Sequence, residues 1–320
     1  MPNGYLSWQI NPSWWVGVGV TVPFGLKTEY DTTFIGRFQS QRAEVKTIDV
    51  NPSVAFKLSD AVSLGGGISI QKAQVKLDRS VIAPGGVEAR SKTDIDDTQW
   101  GFNLGALFNL GTNTRIGVTY RSAMDYDLTG TLVVTGVPVV GTTVNGVLVS
   151  VKFPDTISWG IAHQLNPQWE LLGDITYTRW SKIKAVPIVT TSASPLAPAG
   201  ATLDTFNFQF RDTYRIGVGA NWKFSEELTL KAGAAYDKSP VTDTYRTTFL
   251  PDKDRTWLAV GAKYRMSKQA TIDVGYAHLF IDDPSINQRR GVGVAPFQGN
   301  VVGQYNSNVN IVSAQFTYSF

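Results

Sequence analysis

The chain has 320 residues and a net charge of only +3, with 17% charged and 42% hydrophobic residues. That is ample apolar material for one large domain, while the small net charge and the lack of a basic run argue against nucleic-acid binding. The absence of cysteine excludes thiol catalysis and cysteine metal centres, and no run of about 18 apolar residues marks a transmembrane helix. The opening Met1-Pro2-Asn3-Gly4-Tyr5 has neither a charged nor an apolar leader region, so a signal peptide is expected to be missing from this chain.

Residues 4–10 read as a short strand closed by Asn11-Pro12-Ser13. Residues 14–30 read as a long strand with an interruption. Val16, Val18, Val20 and Val22 share one face, and Gly17, Gly19 and Thr21 the other, which is the two-residue period of a strand. Pro23 then removes a ladder donor, and Gly25 supplies backbone freedom. Pro23-Phe24-Gly25 therefore predicts a kink that opens a gap in a sheet wall; the plainer alternative is a strand end and a turn. A polar loop covers 31–42. Strands over 45–58 and 62–77 meet at Ser59-Asp60. A loop over 78–97 leads to a strand over 100–110, the tight turn Gly111-Thr112-Asn113 and a strand over 115–128. A Gly/Val/Thr-rich excursion over 130–145, with a hairpin of its own, precedes strands over 147–165 and 169–180 joined at Asn166-Pro167. A Pro/Ala/Ser-rich loop covers 185–201. One long strand spans 206–224, followed by 228–236 and 257–266 around the charged loop Pro251-Asp252-Lys253-Asp254. A strand over 270–281, a Gly/Pro/Asn loop over 282–300 and a final strand to Phe320 complete the chain.

These are about thirteen strands with no convincing helix. Connections alternate between very short and long, as in transmembrane barrels with short periplasmic turns and long outer loops. One face of each strand carries Val, Leu, Ile, Ala and aromatics; the other carries Gly, Ser, Thr, Asn and scattered charge. A soluble barrel of this size could not fill its middle with the bulky face, whereas lipid outside and a polar lumen inside accommodate both. The fold class is therefore all-β: an antiparallel transmembrane β-barrel in one domain over 1–320, in the bacterial outer membrane. Aromatics near strand ends, among them Trp14, Trp100, Tyr120, Trp169, Trp222 and Tyr264, fit interfacial girdles. Phe316, Tyr318 and Phe320 share the lipid face, and a terminal Phe320 looks like the signature by which such barrels meet the barrel-assembly machinery. The first and last strands both run toward the short-turn side, so antiparallel closure calls for another strand before Met1; the alternative is one parallel pair.

Toward the long-loop end the alternation inverts. Lys72, Gln74, Lys76 and Asp78 take the outer positions, and Ala73, Val75, Leu77 and Arg79 the inner ones. Ala43 and Val45 swap likewise against Glu44 and Lys46; Leu279, Ile281 and Trp180 are placed in the lumen. An apolar interior above the membrane suits a hydrophobic ligand or a plug. Arg79, at its edge, is a partner for a carboxylate headgroup or simply a solvated loop charge. A hydrophilic diffusion porin would keep a polar lumen throughout. An outer-membrane enzyme would need a catalytic constellation, but His163 and His278 are the only histidines and no Ser/His/Asp grouping or metal-ligand cluster is visible. A soluble adhesin would need no lipid face. No cofactor is implied.

The ordered stretches 21–30 (TVPFGLKTEY), 99–107 (QWGFNLGAL), 118–122 (VTYRS), 210–216 (FRDTYRI), 235–240 (AYDKSP) and 251–257 (PDKDRTW) together resemble the FadL/TodX family of outer-membrane transporters for long-chain fatty acids and hydrophobic compounds, over essentially the whole chain. The resemblance implies a 14-stranded barrel, an N-terminal hatch that would be absent here together with the first strand, and a lateral opening at the kink Pro23-Phe24-Gly25. It places Arg79 at a ligand-contacting arginine and Phe206 where a second basic contact would stand. With no charge at Phe206 and a short 78–97 loop, it leans toward less polar substrates such as aromatic hydrocarbons. Partners so implied are a hydrophobic small molecule, outer-membrane lipid and lipopolysaccharide, with the barrel a monomer.

Overall fold

A computed structural model describes residues 3–195, 197–290 and 298–320. The strands are β1 (Gly4–Asn11), β2 (Trp14–Thr21), β3 (Gly25–Glu29), β4 (Arg42–Lys57), β5 (Val62–Ala83), β6 (Val87–Leu110) and β7 (Thr114–Arg121). Then come β8 (Met124–Val137), β9 (Gly141–Phe153), β10 (Thr156–Gln164), β11 (Trp169–Thr178), β12 (Ala185–Thr190), β13 (Thr202–Asn207) and β14 (Thr213–Lys223). The chain ends with β15 (Leu228–Asp237), β16 (Arg255–Arg265), β17 (Ala270–Ile281), β18 (Ser285–Arg290), β19 (Gly299–Gln304) and β20 (Asn308–Tyr318). Two single 3-10 turns, Pro84–Gly86 and Trp180–Lys182, are the helical elements among the described residues.

The sheet holds 18 strands, all paired antiparallel. Of these, β2 with β3, β7 with β8, and β9 with β10 are each one pass along the wall, and β12–β13 is a hairpin at the long-loop end. Thirteen passes remain, so the two edge passes, β1 and β20, run in the same direction. No ladder joins them among the described residues.

Five of the six short turns share one chemistry. Asn11 Oδ1 accepts from the backbone N–H groups of Ser13 and Trp14 at 2.9 and 3.0 Å. Asn166 Oδ1 does the same for Gln168 and Trp169. The hydroxyls of Ser59, Ser225 and Ser267 each accept from the N–H groups two and three residues ahead. These Asx and Ser turns satisfy loop donors locally. At the sixth turn Gly111 takes φ 68°, which only glycine adopts freely.

The long connections are more ordered than their composition suggests. The 78–97 segment is a continuation of the β5–β6 hairpin up to the Pro84–Gly86 turn. Its inward positions are buried and mixed, with Ala83, Ala89 and Ile95 beside Arg79, Ser91 and Thr93. The 130–145 excursion is the β8–β9 hairpin, turning at Val139 with φ 71°. The 185–201 loop begins with β12; Leu196 lies outside the described residues. The expected single strand over 206–224 is broken: β13 ends at Asn207, Gln209 adopts φ 44°, and β14 starts at Thr213. The break has a cause in pairing, because β13 follows β12 out of the wall while β14 returns to β11. In the 282–300 loop, β18 pairs with β19, and residues 291–297 lie outside the described residues.

Side-chain exposure divides the wall at the level where Val50, Ile70 and Trp100 are ladder neighbours. Below it, Val54, Leu64, Ile68, Phe102 and Leu104 are exposed outward. Above it the outer face is charged, with Lys72–Asp96 at 2.8 Å and Lys76–Asp94 at 3.5 Å. There the inner face holds the buried Ala43, Ala73 and Ile95. A period of two cannot invert within a strand unless the surroundings invert; the lower belt fits hydrocarbon and the upper rim fits water.

Candidate functional site: an apolar upper cavity beside a wall kink

A cavity of about 1940 Å³ runs down the inside of the wall. Its upper part is lined by aliphatic side chains, including Val45, Val75, Leu77, Ile95, Leu128 and Val149, and by a continuous chain of rings. Phe24 meets Phe153 edge-on at 5.1 Å between centroids and Trp180 at 5.7 Å. Trp180 then meets Phe210 at 6.1 Å, Phe210 meets Phe208 at 5.0 Å, Phe208 meets Phe206 at 5.9 Å, and Phe206 meets Phe249 at 4.8 Å. Such separations lie within the attractive range for aromatic pairs. The lower part is polar: Asn51, Asn103, Thr119, Ser158 and Thr176 line it. Asp49, fully buried, accepts from Arg121 Nη1 at 3.2 Å.

The kink is a bulge. Thr21 pairs with Asp49 and Gly25 with Lys46, so Val22, Pro23 and Phe24 stand opposite only Thr47 and Ile48. The extra residue bends the strand. Pro23 has no N–H to lose from the ladder. The buried Thr47 fills in: its hydroxyl accepts from Phe24 N and donates to Phe24 O, both at 2.9 Å, and Thr47 N also donates to Phe24 O. The kink is thus stapled to β4, and β1 reaches only as far as Val20 on its other side. Above it, β3 is tied to the 238–254 loop by Thr28 Oγ1 donating to Phe249 O at 3.0 Å and Tyr30 Oη to Thr248 O at 2.8 Å. Burial pushes the Tyr30 phenol well above its usual pKa. In the same loop burial also raises the Asp252 carboxyl, against the pull of Arg255.

Of the residues singled out from sequence, Pro23, Phe24, Gly25, Val75, Leu77, Trp180, Phe206 and Ile281 line the cavity. Leu279 points inward and is buried without reaching it. Arg79 is placed differently from a solvated loop charge or a free headgroup partner. It is buried off the cavity, with Nη1 donating to Asp204 Oδ2 at 2.6 Å. Phe153, Phe208, Phe210 and Phe249 escaped the sequence reading. The alternation Phe206-x-Phe208-x-Phe210 was a usable signal; Phe249, in an irregular loop, had none. Asp204 was hidden because its partner lies 125 positions away.

The family model described as outer membrane protein transport protein (OMPP1/FadL/TodX) matches residues 1–320. The chain belongs to this family. As a FadL/TodX-family protein it resides in the bacterial outer membrane. It is 29% identical to the long-chain fatty acid transport protein of Salmonella typhi over 319 residues, covering 90% of this chain and 71% of that one. It is 27% identical to outer membrane protein P1 of Haemophilus influenzae over 358 residues, covering 100% and 75% respectively. Among solved structures, a Pseudomonas aeruginosa FadL homologue superposes with TM-score 0.89 at 22% identity, over 99% of this chain and 77% of that one. The Ralstonia pickettii toluene transporter TbuX superposes with TM-score 0.74 at 18% identity, over 99% and 80%. These likenesses show the family's barrel fold, and the antiparallel wall is its expression here.

Proposed function

We propose that this FadL/TodX-family protein carries hydrophobic small molecules, long-chain fatty acids or aromatic hydrocarbons, across the outer membrane by capture in the upper cavity and sideways exit at the Pro23-Phe24-Gly25 kink. The observation that carries this reading is the inversion of the wall above Val50, Ile70 and Trp100, which puts apolar and aromatic side chains inside. Related proteins are named for long-chain fatty acids and for toluene. Val75, Leu77, Trp180, Phe206, Leu279 and Ile281 form or back the capture surface. The Phe24 ring, set against Phe153 and Trp180, closes the kink from within. Sideways exit spares an apolar solute a return to water, which would cost about 25 cal/mol per Å² of apolar surface. The flow is downhill and needs no energy source or catalytic step. The protein works as a monomer in contact with lipid and lipopolysaccharide, and the exposed Phe320 is its contact for the barrel-assembly machinery.

The test is uptake into proteoliposomes of a labelled fatty acid, labelled toluene and a small neutral sugar, comparing the wild type with a variant lacking Pro23. Deleting one bulge residue matches the two sides of the ladder and should bring uptake of the hydrophobic solute to background while the barrel still folds. Unchanged uptake in that variant would sink lateral exit. Fast sugar passage with no preference for the hydrophobic solutes would make the protein a general porin.

A further inference from the structure

Among the described residues, the cations that line the cavity are already engaged by groups of the protein itself. Of the lining arginines, Arg121 is held by Asp49 at 3.2 Å, Arg215 by Asp174 at 2.8 Å, and Arg255 by Asp237 at 3.0 Å and Asp252 at 3.1 Å. Lys27 pairs with Glu29 at 2.5 Å, and Lys238 lies over the Tyr214 ring at 5.4 Å. In the apolar upper part the same rule holds behind the wall. Arg79 stands two residues beyond Leu77 on β5, and Asp204 two residues before Phe206 on β13. The side chains of Arg79 and Asp204 are 11% and 1% exposed. Asp204 Oδ2 also accepts from Gln298 Nε2 at 2.9 Å, and Oδ1 from Thr205 N at 2.7 Å.

We infer that Asp204, by holding Arg79, makes the upper cavity selective for uncharged hydrophobic molecules over those bearing an ionised carboxylate. The inference rests on the transport reading above and adds the substrate class. An ionised carboxylate leaving water must recover its lost hydration from a cation or from several donors. To use Arg79 it must break a buried pair, in direct competition with a carboxylate already engaged by hydrogen bonds. An alcohol, ester or hydrocarbon meets no such competition, and its binding follows the apolar area it buries. The pair is also a fixed part of the wall, since it ties β5 to β13 and to the residue before β19.

The experiment is calorimetric binding of octan-1-ol and of octanoate to the purified protein in detergent at pH 8, where the acid is ionised. The wild type is expected to bind the alcohol at least about tenfold more tightly, with octanoate tightening as the pH falls toward its own pKa and octanol unchanged. Asp204→Asn, which frees Arg79, should narrow the preference by about tenfold through a gain for the acid. Should that variant fail to fold, the double variant Arg79→Met with Asp204→Leu removes both charges and should keep the wild-type preference. Octanoate bound as tightly as octanol by the wild type at pH 8, with Arg79→Met weakening the acid alone, overturns the inference and leaves transport of hydrophobic molecules standing. Failure of the wild type to bind either compound overturns the transport reading itself.

Discussion

The lower and upper parts of this wall are built from the same strands, and they bury opposite faces. On β5, Leu64, Ile68 and Ile70 look outward, while a few residues further Val75 and Leu77 look into the cavity and Lys72 and Lys76 look out. The strand does not change its period; the medium around it changes from lipid to water. The lesson is that in a membrane barrel the polarity of a position reports its height as much as its direction. A cavity for an apolar ligand is therefore cheapest where the outside is wet, because only there does the strand need an apolar partner on its inner side.

The largest effect is expected where the upper part keeps a charge inside. Asp204→Ala leaves Arg79 buried without its carboxylate, which should cost about 3–5 kcal/mol, read as a lower urea midpoint in lipid vesicles. An effect below about 1 kcal/mol would mean that water reaches this pair, and the apolar character of the upper interior would be in question. Next comes the outer face. Ile68→Arg, in the lipid belt, should cost about 2–4 kcal/mol, whereas Ile82→Arg, outward on the upper hairpin, should stay within about 0.5 kcal/mol. Equal costs at the two positions would erase the boundary drawn at Val50, Ile70 and Trp100.

Much of this division was legible in the sequence, because alternation is a local property. Strand passes, tight turns and the swap of Lys72 and Lys76 against Val75 and Leu77 all follow from a period of two and from Asn, Ser and Gly at the turns. The kink was legible too, since Pro23 and Gly25 both announce a ladder defect. Three things were not. The 78–97 segment looked like a loop because its Pro84-Gly85-Gly86 tip masks a paired ladder on either side. The break at Phe208–Phe210 depends on β12 and β13 leaving the wall, which is a pairing choice and not a propensity. The Arg79–Asp204 pair joins residues far apart in the chain, and a single sequence carries no trace of it.

The staple at the kink gives a smaller effect. Thr47→Val keeps the shape of the side chain and removes the hydroxyl that serves Phe24 N. A buried N–H left without an acceptor costs about 1–3 kcal/mol, so the variant should be less stable by that order, with faster amide exchange confined to residues 22–26. Uptake of a hydrophobic solute should rise if the kink is the exit, since the segment is held less firmly to β4. Unchanged exchange there would mean that another acceptor replaces the hydroxyl.

The smallest effect lies at the tip of the upper hairpin, far from lipid. Arg37 and Ser80 hold the Glu88 carboxyl at about 2, below the usual carboxylate range. Arg37 Nε donates to it at 2.8 Å and Ser80 Oγ at 2.7 Å. A carboxyl lowered in the folded state favours that state while it is ionised, and the advantage is lost as pH falls through its folded value. The tip should therefore resist limited proteolysis unchanged from pH 7 down to about 5, and loosen progressively as the pH falls from there toward about 2. Glu88→Gln should show the loosened tip at every pH, with no change in the global unfolding midpoint, because an exposed pair contributes little to the whole fold. If protection instead stayed unchanged down to about pH 2, the Glu88 carboxylate would contribute nothing to the folded tip, and the upper rim would owe its order to the β5–β6 ladder alone.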